Sequence, residues 1–526
     1  MAALETNIEP DATPGGDAAN EAASGIEHVD VLVVGAGLSG IGAACHLTIE
    51  APWATFAVFE ARDALGGTWV LFRYPAIRSD SDMFTLGFPF RPWNRTESIA
   101  SGENILNYLR DTADEFGVTS HIRYRHRIIA ADFHTDDDRW HVTAERTTDD
   151  GDLELVNITA SYYVSASGYY RYDRGHTPTW EGQDEFTGQI VHPQFWPEDL
   201  DYADKNVVVI GSGATAITLV PSMTDKAAKV TMLQRSPTYI GSLPAVNPVT
   251  STIRRFTPKR YHGSILRWYN STTTQAFYQL SRKRPEFVKK LLLKATARQL
   301  PNHDVKKHFT PKYNPWDQRF CVVPDGDLFK ALRKGTADIV TDHIERFDAN
   351  GIVLRSGERI DADIIVTATG LELLFIGGVN LSIDGEPVDI GNSMAYKGMG
   401  LEGVPNFSVI IGYTNASWTL KADLTAGYIT KLLNFMRERG YTRAVPSRHP
   451  ELHSDDPLLG LDAGYVLRSQ ADFPKQGKRD PWRLHQSYIK DYRALKMGGV
   501  ADDTMVFSTL QPAVRKPAAE PVRSAS

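Results

Sequence analysis

Two glycine-rich turns, each directly after a short β-branched run, constrain this chain more than any other feature. The first, Gly35-Ala-Gly37-Leu-Ser39-Gly40, follows the apolar run 29–34, and the second, Gly211-Ser-Gly213-Ala-Thr-Ala216, follows the run 206–210. Such runs are typical of buried parallel strands, and a helix is predicted after each turn. Strand, glycine turn and helix at this spacing form a dinucleotide fingerprint, because glycine lets the backbone turn tightly and approach a pyrophosphate. The chain is therefore predicted to be an α/β protein with two Rossmann-like dinucleotide-binding domains.

The surroundings of the first turn favour FAD as its ligand. After a helix predicted at 41–49, the strand 55–59 ends in Glu60, whose carboxylate would accept hydrogen bonds from ribose hydroxyls. The phosphates would lie at the helix N-terminus, where free N–H groups favour negative charge. A glycine-aromatic loop at 66–69 and the segment 74–80 come next, and flavoproteins use such a loop along the flavin, whereas NAD dehydrogenases do not need one. The residues expected to bind FAD are Gly35, Gly37, Ser39, Gly40, Glu60, Gly67, Thr68, Trp69, Arg78, Ser79, Asp80 and Ile128.

The second turn is followed by a basic residue where the first is followed by an acid. The strand 229–233 leads into Gln234 and Arg235, and an arginine there pairs with a ribose 2′-phosphate, whereas an acid binds the free 2′-hydroxyl. NADPH is therefore expected in preference to NADH; the alternative is that Arg235 is a solvated surface residue. A third strand at 363–370 ends in a small-residue turn, where the chain is expected to return to the first domain. The residues expected to bind NADPH are Gly211, Ser212, Gly213, Ala214, Thr215, Gln234 and Arg235.

Composition excludes several other classes of protein. A net charge of −7 over 526 residues argues against general nucleic-acid binding. Two cysteines, Cys45 and Cys321, are too few for a disulfide framework or a zinc cluster, and a disulfide reductase would need a second cysteine near Cys45. They fit a reducing, cytoplasmic location, and no apolar run approaches the roughly 18 residues that span a bilayer. The polar stretch 1–27 lacks the layout of a signal peptide and is expected, like 511–526, to be a disordered tail.

A basic stretch in the second half leaves two interpretations open. Residues 251–300 contain twelve Lys or Arg and a single acid, Glu286, interleaved with aromatic and aliphatic residues. A helical insertion in the NADPH domain is predicted here. The favoured interpretation of its charge is a solvated basic face that also attracts the cofactor. The alternative is loose peripheral association with an anionic membrane surface.

The segment between the two nucleotide sites resembles a known family signature. The sequence matches every defined position of the Baeyer–Villiger monooxygenase fingerprint Phe-x-Gly-x-x-x-His-x-x-x-Trp-Pro, with Phe186, Gly188, His192, Trp196 and Pro197. Amine- and sulfide-oxidising flavin monooxygenases are similar up to the histidine but carry Tyr or Phe in place of the tryptophan. From about residue 28 to residue 510 the chain resembles a class B flavoprotein monooxygenase of the type I Baeyer–Villiger kind. The segments 78–83, 313–319 and 414–423 are similar to the ethionamide-activating subgroup.

The resemblance implies a reaction and roles for several residues. NADPH would reduce FAD, O2 would add to the reduced flavin, and the resulting flavin peroxide would attack a ketone to give an ester. Sulfides or thioamides would also be oxidised at sulfur. Arg319 matches the family's active-site arginine, which would stabilise the peroxide and the carbonyl-derived oxygen, and Asp80 matches the acid that orients it. His192 is expected to act in a hinge and not as a general base.

The chain departs from the family pattern at two positions. Gln318 stands where a lysine that helps hold the 2′-phosphate is usual, so NADPH preference would depend more on Arg235. Ala76 stands where Gly or Met is usual, beside the expected flavin site. The alternative function is an N- or S-oxygenating flavin monooxygenase without ketone activity. An electron-transfer reductase would reduce a partner protein and would have no need for Arg319.

The expected domain organisation is discontinuous, because the chain enters the second domain and returns to the first. The expected boundaries are 28–165 and 386–510 for the FAD-binding domain, 166–250 and 311–385 for the NADPH-binding domain, and 251–310 for the helical insertion.

Overall fold

The computed structural model describes residues 25–318 and 320–510. Residues 1–24, Arg319 and residues 511–526 lie outside the described residues, and so does most of the two expected tails. The strands are β1 (Glu27–Val34), β2 (Phe56–Phe59), β3 (Ile122–Arg123), β4 (His126–His134), β5 (Arg139–Thr147), β6 (Leu153–Ser165), β7 (Tyr170–Gly175), β8 (Gln189–Val191), β9 (Asn206–Ile210), β10 (Lys229–Gln234), β11 (Ile240–Leu243), β12 (Cys321–Pro324), β13 (Ala337–Thr341), β14 (Ile344–Asp348), β15 (Gly351–Leu354), β16 (Arg359–Asp361), β17 (Ile364–Thr367), β18 (Leu371–Leu373), β19 (Asn380–Ile383), β20 (Glu386–Pro387), β21 (Ala395–Tyr396), β22 (Gly400–Leu401), β23 (Phe407–Val409), β24 (Arg443–Pro446), β25 (His453–Pro457), β26 (Lys475–Gly477) and β27 (Met505–Ser508). The α-helices are α1 (Leu38–Glu50), α2 (Thr68–Leu71), α3 (Met83–Leu86), α4 (Gly102–Glu115), α5 (Ala214–Met223), α6 (Pro248–Phe256), α7 (His262–Lys283), α8 (Pro285–Gln299), α9 (Val305–His308), α10 (Asp327–Lys334), α11 (Trp418–Arg439), α12 (Gly464–Ser469) and α13 (Tyr488–Asp491).

The larger sheet has the strand order β20-β19-β4-β5-β6-β1-β2-β3, and β23 also pairs with β6. β1 runs parallel to both β2 and β6, and α1 connects β1 to β2. Val31 and Val33 pack on the same side as Ile41 of α1, whereas Leu32 and Val34 belong to a cluster on the opposite face. Because successive side chains of a strand point to opposite faces, burial of both faces explains why β1 is almost continuously apolar.

The second sheet has the order β13-β10-β9-β17-β8, and all of its strand pairs are parallel. Val207 and Val209 of β9 pack in one hydrophobic cluster, and Val208 and Ile210 pack in another. α5 connects β9 to β10, so this unit repeats the strand, turn and helix arrangement of the first. The prediction of an α/β fold with two Rossmann-like units is confirmed.

A pair of short strands joins the two sheets. The chain leaves β6 through β7 and returns through β18, and these two strands pair antiparallel. The family fingerprint lies just after this exit, and its residues Gln189–Val191 form β8 at the edge of the second sheet. The return falls earlier than the expected boundary at residue 386, because Asn380–Ile383 already pairs with β4 of the larger sheet.

The predicted helical insertion forms between β11 and β12, as α6 to α9. Although it interrupts the second unit in sequence, it also packs on the first. Arg267 of α7 is buried and donates from its Nη1 to the carbonyl oxygens of Thr85, at 3.2 Å, and Gly87, at 2.7 Å. Within residues 25–318 and 320–510, no helix is both long and apolar enough to cross a membrane.

Candidate active site

The first glycine turn is built by close packing of the backbone. Gly35 has a φ of +102°, and a Cβ there would lie 2.8 Å from the carbonyl oxygen of Ala166. A Cβ on Gly40 would lie 1.8 Å from the carbonyl oxygen of Gly35, so only glycine lets α1 start against this turn. α1 begins after Gly37 without a side-chain cap, earlier than the predicted start at residue 41. Its first N–H groups are therefore available to an anionic ligand.

Glu60 follows β2 and is fixed beside the same turn. Its carboxylate is buried and accepts hydrogen bonds from the backbone N–H groups of Ala36, at 2.7 Å, and Arg62, at 3.0 Å. Burial raises the pKa of this carboxyl above its usual value, against the opposing effect of the two N–H donors. The side chain lines the central cavity, where a carboxylate can accept hydrogen bonds from hydroxyl groups of a ligand.

The second glycine turn has the same construction with more open space. Gly211 has a φ of +137°, and a Cβ there would lie 2.3 Å from the carbonyl oxygen of Ala368. A Cβ on Gly213 would meet no atom within 4 Å, and α5 starts after this residue without a side-chain cap. The N-terminus of α5 therefore faces free space in the cavity that Gly213 lines.

Gln234, the last residue of β10, and Arg235, the next residue, point in different directions. Arg235 is exposed and lines the cavity, and no carboxylate of the described residues forms an ion pair with it. Gln234 is buried and donates from its Nε2 to the carbonyl oxygen of His308, at 2.7 Å, and to Oγ1 of Thr341, at 2.8 Å. The side chain of Gln234 is therefore used in the core and does not line the cavity, so the NADPH contact expected of Gln234 stays a prediction.

Both glycine turns open into a single cavity of about 1200 Å³. Tyr74 links the two sides: its hydroxyl is hydrogen-bonded to Thr215, and burial raises its pKa to about 12. Gly40 lies behind the cavity wall, and Arg319 lies outside the described residues. The predicted residues that line the cavity are Gly35, Gly37, Ser39, Glu60, Gly67, Thr68, Trp69, Arg78, Ser79, Asp80, Ile128, Gly211, Ser212, Gly213, Ala214, Thr215 and Arg235.

Arg78 connects the flavin-side loop to the second unit. Its Nη1 donates to Oδ2 of Asp327, at the start of α10, over 2.5 Å, and only 13% of its side chain is exposed. Asp80 lies two residues further on and also lines the cavity. The loop that carries both residues is thus held against both nucleotide units at once.

His192 of the fingerprint lies where the two units meet. Its Nδ1 accepts a hydrogen bond from the backbone N–H of Gln194 at 3.2 Å, and burial lowers the pKa of its imidazole. A Cβ on Gly175, the last residue of β7, would lie 2.0 Å from the Cε1 atom of His192. The histidine therefore packs directly on the strand that connects the two sheets.

The sequence analysis missed several residues that line the cavity. Trp418 donates from its Nε1 to Oγ of Ser39 at 2.7 Å, and the hydroxyl of Tyr413 donates to Oδ2 of Asp491 at 2.5 Å. Gln194 donates both N–H groups, to the carbonyl oxygens of Arg171 and Tyr172 at 2.9 and 3.0 Å, so its Oε1 is left as the acceptor. In the sequence, Trp418 and Gln194 lie in family-like segments, and Tyr413 directly precedes one.

The two cysteines are both buried. Burial raises the pKa of the Cys45 thiol to about 12, which keeps it protonated at neutral pH. Cys321 lies in β12 and lines the cavity.

Two dinucleotide-binding units that share one cavity define a class of two-cofactor oxidoreductases, in which electrons pass between adjacent ligands. Within that class, one known family matches the sequence. The flavin-binding monooxygenase-like family matches residues 28–376, and the chain belongs to this family.

Relatives agree with this placement, and solved structures share the fold. The chain is 49% identical over 486 residues to the FAD-containing monooxygenase EthA of Mycobacterium tuberculosis, covering 92% of this chain and 98% of that protein. It is 48% identical over 483 residues to the probable FAD-binding monooxygenase AlmA of Acinetobacter baylyi, with 91% and 96% covered. The fold is similar to oxidized steroid monooxygenase bound to NADP, with a TM-score of 0.71 and 22% identity. The match covers 92% of this chain and 100% of that structure. It is also similar to an open crystal structure of cyclohexanone monooxygenase, with a TM-score of 0.66, 21% identity and 81% and 90% covered.

Proposed function

We propose that this protein is an FAD-containing, NADPH-dependent Baeyer–Villiger monooxygenase. It inserts one atom of O2 into the C–C bond next to a ketone carbonyl, which gives an ester. The other oxygen atom leaves as water, and NADPH supplies the two electrons. The observation that carries the proposal is the shared cavity, which both glycine turns line. The names of the relatives, FAD-containing and FAD-binding monooxygenases, support it.

The residues present fit the two cofactors. Gly37, at the uncapped start of α1, and Glu60, with its fixed carboxylate, suit the pyrophosphate and ribose of FAD. At the second turn the missing Cβ of Gly213 leaves open space, and Arg235 offers an unpaired guanidinium to a 2′-phosphate. When bound and reduced, the flavin supplies the activation of O2.

The remaining tasks fall to side chains of this chain. Arg319, which matches the family's arginine, carries a charge at every working pH and would stabilise negative charge on the carbonyl-derived oxygen. Asp80, in the loop held by Arg78, would orient that guanidinium. Trp69 and Trp418 also line the cavity and contribute to excluding water from it.

A second candidate is oxidation at sulfur or nitrogen without ketone activity. The same cavity and cofactors serve both reactions, so the two candidates differ in what is stabilised next to the substrate. Arg319 and the fingerprint's Trp196 and Pro197 favour ketone oxidation. Oxidation of sulfides or thioamides is proposed as an additional activity of the same site.

The test is product analysis after incubation of the FAD-loaded protein with NADPH, air and 2-octanone. Ester from the wild type, with loss of ester from Arg319→Ala, is the expected result. The matched control is Arg359→Ala, which removes an arginine paired with Asp348 and Asp361 in β14 to β16. NADPH consumption without ester from any ketone, together with oxidation of a sulfide, would favour the second candidate instead.

A further inference from the structure

The helical insertion displays large apolar side chains to solvent. Phe256, at the end of α6, is 76% exposed, and Phe287, in the first turn of α8, is 59% exposed. Tyr261, Ile265 and Leu291 are also exposed. Single exposed apolar residues are ordinary, but several on one insertion mark an interaction surface.

The segment that carries Phe256 and Tyr261 is positively charged. From Leu243 to Pro285 the sequence contains no Asp or Glu, in a chain whose net charge is −7. Lys259 and Arg260 are exposed next to Tyr261, and the Arg260 guanidinium lies 4.6 Å from the centre of the Tyr261 ring. No carboxylate of the described residues is within ion-pair distance of Lys259 or Arg260. The cations are therefore available to an outside partner.

Helix α8 repeats this combination on one face. Val288 and Thr296 are buried against the rest of the protein. Phe287, Leu291, Lys294 and Arg298 are spaced so that they follow one outward stripe, and all four are exposed. An outward stripe of apolar and basic residues is typical of helices that lie in the headgroup region of a bilayer.

We propose that the insertion, through the exposed surface of α6 to α8 around Phe256, Tyr261, Phe287 and Leu291, docks the protein on an anionic lipid surface. Attraction of the cofactor explains the cations, but it gives no reason for aromatic side chains in water. A lipid interface accounts for both, because aromatic rings enter the boundary of the acyl chains while Lys and Arg contact anionic headgroups.

The docking surface is rigidly connected to the rest of the molecule. Buried Arg267 fixes α7 on the larger unit through the Thr85 and Gly87 carbonyl oxygens. On the other side of the insertion, Arg282 pairs with Asp317 at 2.5 Å, in the loop that includes the cavity-lining residue Gln318. The insertion that carries the docking surface is therefore held both by the larger unit and by the loop beside the cavity.

The test is co-sedimentation of the FAD-loaded full-length protein with vesicles. One set contains equal parts of phosphatidylcholine and phosphatidylglycerol, and the other contains phosphatidylcholine alone. Binding to the anionic set, weakened by added salt, is expected, with little binding to the neutral set. The charge reversal Lys259→Glu with Arg260→Glu should weaken binding by about 25-fold or more, because each basic residue near the surface contributes about fivefold. Phe256→Ser should weaken it by about tenfold.

The matched control is Leu153→Ser, which removes an apolar side chain that is 68% exposed on β6, next to the acidic residues Asp152 and Glu154. It should bind vesicles like the wild type, and bound FAD content verifies the fold of every variant. Equal binding to both vesicle sets, or binding unchanged by the charge reversal, would overturn the proposal. A dimer that Phe256→Ser dissociates, with no vesicle binding, would assign the surface to a second copy of the chain and also overturn it.

Discussion

Individual glycines in the two nucleotide turns have different physical roles. At Gly40 the missing Cβ leaves room for the carbonyl oxygen of Gly35, 1.8 Å from where a Cβ would lie. At Gly213 the missing Cβ leaves open space in the cavity, with no atom within 4 Å. Gly40 is therefore required by the fold, whereas Gly213 is required only if a ligand occupies the cavity.

A pair of substitutions separates these roles. Gly40→Ala should destabilise the protein by at least about 3 kcal/mol, because backbone must shift to admit the new methyl group. Gly213→Ala should leave the free energy of unfolding within about 1 kcal/mol of the wild type. It should nevertheless raise the KM for NADPH at least about tenfold, since a methyl group would separate the pyrophosphate from the helix N-terminus. Denaturant unfolding and steady-state kinetics check the pair, and an unchanged KM would contradict the assignment of NADPH to this turn.

Arg235 is predicted to select NADPH over NADH. Its guanidinium is exposed at the cavity and has no carboxylate partner among the described residues, so its removal costs the fold little. Arg235→Ala should raise the KM for NADPH about tenfold or more, because the variant loses a charge-assisted hydrogen bond to the 2′-phosphate. The KM for NADH, measured on the same preparation, is the internal control and should stay the same. A parallel rise in both constants would show that Arg235 does not contact the 2′-phosphate.

Among the elements, the packing of α1 on α11 depends on a buried charged group. His46 of α1 lies 3.0 Å from Oδ1 of Asp423 on α11 and 3.2 Å from Oε1 of Glu50. Burial lowers the pKa of this imidazole, but the two carboxylates outweigh burial and raise it to about 9. The ion pair with His46 in turn lowers the pKa of Glu50 to about 2. The pair of helices that supports the first glycine turn is thus held by an imidazolium between two carboxylates.

This arrangement makes the stability of the protein pH-dependent. The pKa of His46 is higher in the folded than in the unfolded state, so its stabilisation is complete below about 6.5 and is lost as the pH rises through about 9. His46→Gln should destabilise by about 3 kcal/mol at pH 6, and the difference from the wild type should shrink toward pH 9. Thermal unfolding across this pH range checks the prediction.

The control for this experiment is His141→Gln. His141 also pairs with a carboxylate four residues away, that of Asp137, but both side chains are more than a third exposed. An exposed pair contributes little, so this variant should unfold within a few degrees of the wild type at every pH. Similar losses of thermal stability in both variants would show that the buried His46 pair stabilises the protein no more than the exposed His141 pair.

At the scale of the whole molecule, the two nucleotide units are coupled through one cavity. Arg78 and Asp327 bridge them by an ion pair, Tyr74 and Thr215 by a hydrogen bond, and β7 pairs with β18 at the connection. A ligand in the cavity contacts both units and should stabilise them together.

The expected consequence is a single unfolding transition that shifts with NADP. At a concentration 100 times the Kd, NADP should add about 2.7 kcal/mol to the free energy of unfolding of the FAD-loaded protein. Scanning calorimetry should show one transition moving to higher temperature. If Arg235→Ala weakens NADP binding about tenfold, it should lose about half of this shift at the same NADP concentration and keep the shift caused by FAD. Two transitions, of which only one responds to NADP, would mean that the units unfold independently.

Much of the fold could be predicted from the sequence because its signals are local. The apolar runs and the glycine turns lie within short segments, and the parallel pairing of β1 with β2 and of β9 with β10 confirms them. The change from Glu60 to Arg235 after the second strand of each unit is equally local. The direction of the Gln234 side chain could not be predicted from the sequence, because it depends on which residues pack against the end of β10. Gln234 turns toward His308 in the core, while Arg235 faces the cavity.

The two nucleotide-binding units can be recognised from the amino-acid sequence, since strand, turn and helix are specified by adjacent residues. The cavity that the units share cannot, because the contacts that create it join distant residues. Ser39 and Trp418 are 379 positions apart, and Arg78 and Asp327 are 249 apart. The tertiary structure also decided which apolar residues of the basic insertion are buried, such as Leu266, and which face solvent, such as Phe256, because burial depends on what packs against a helix.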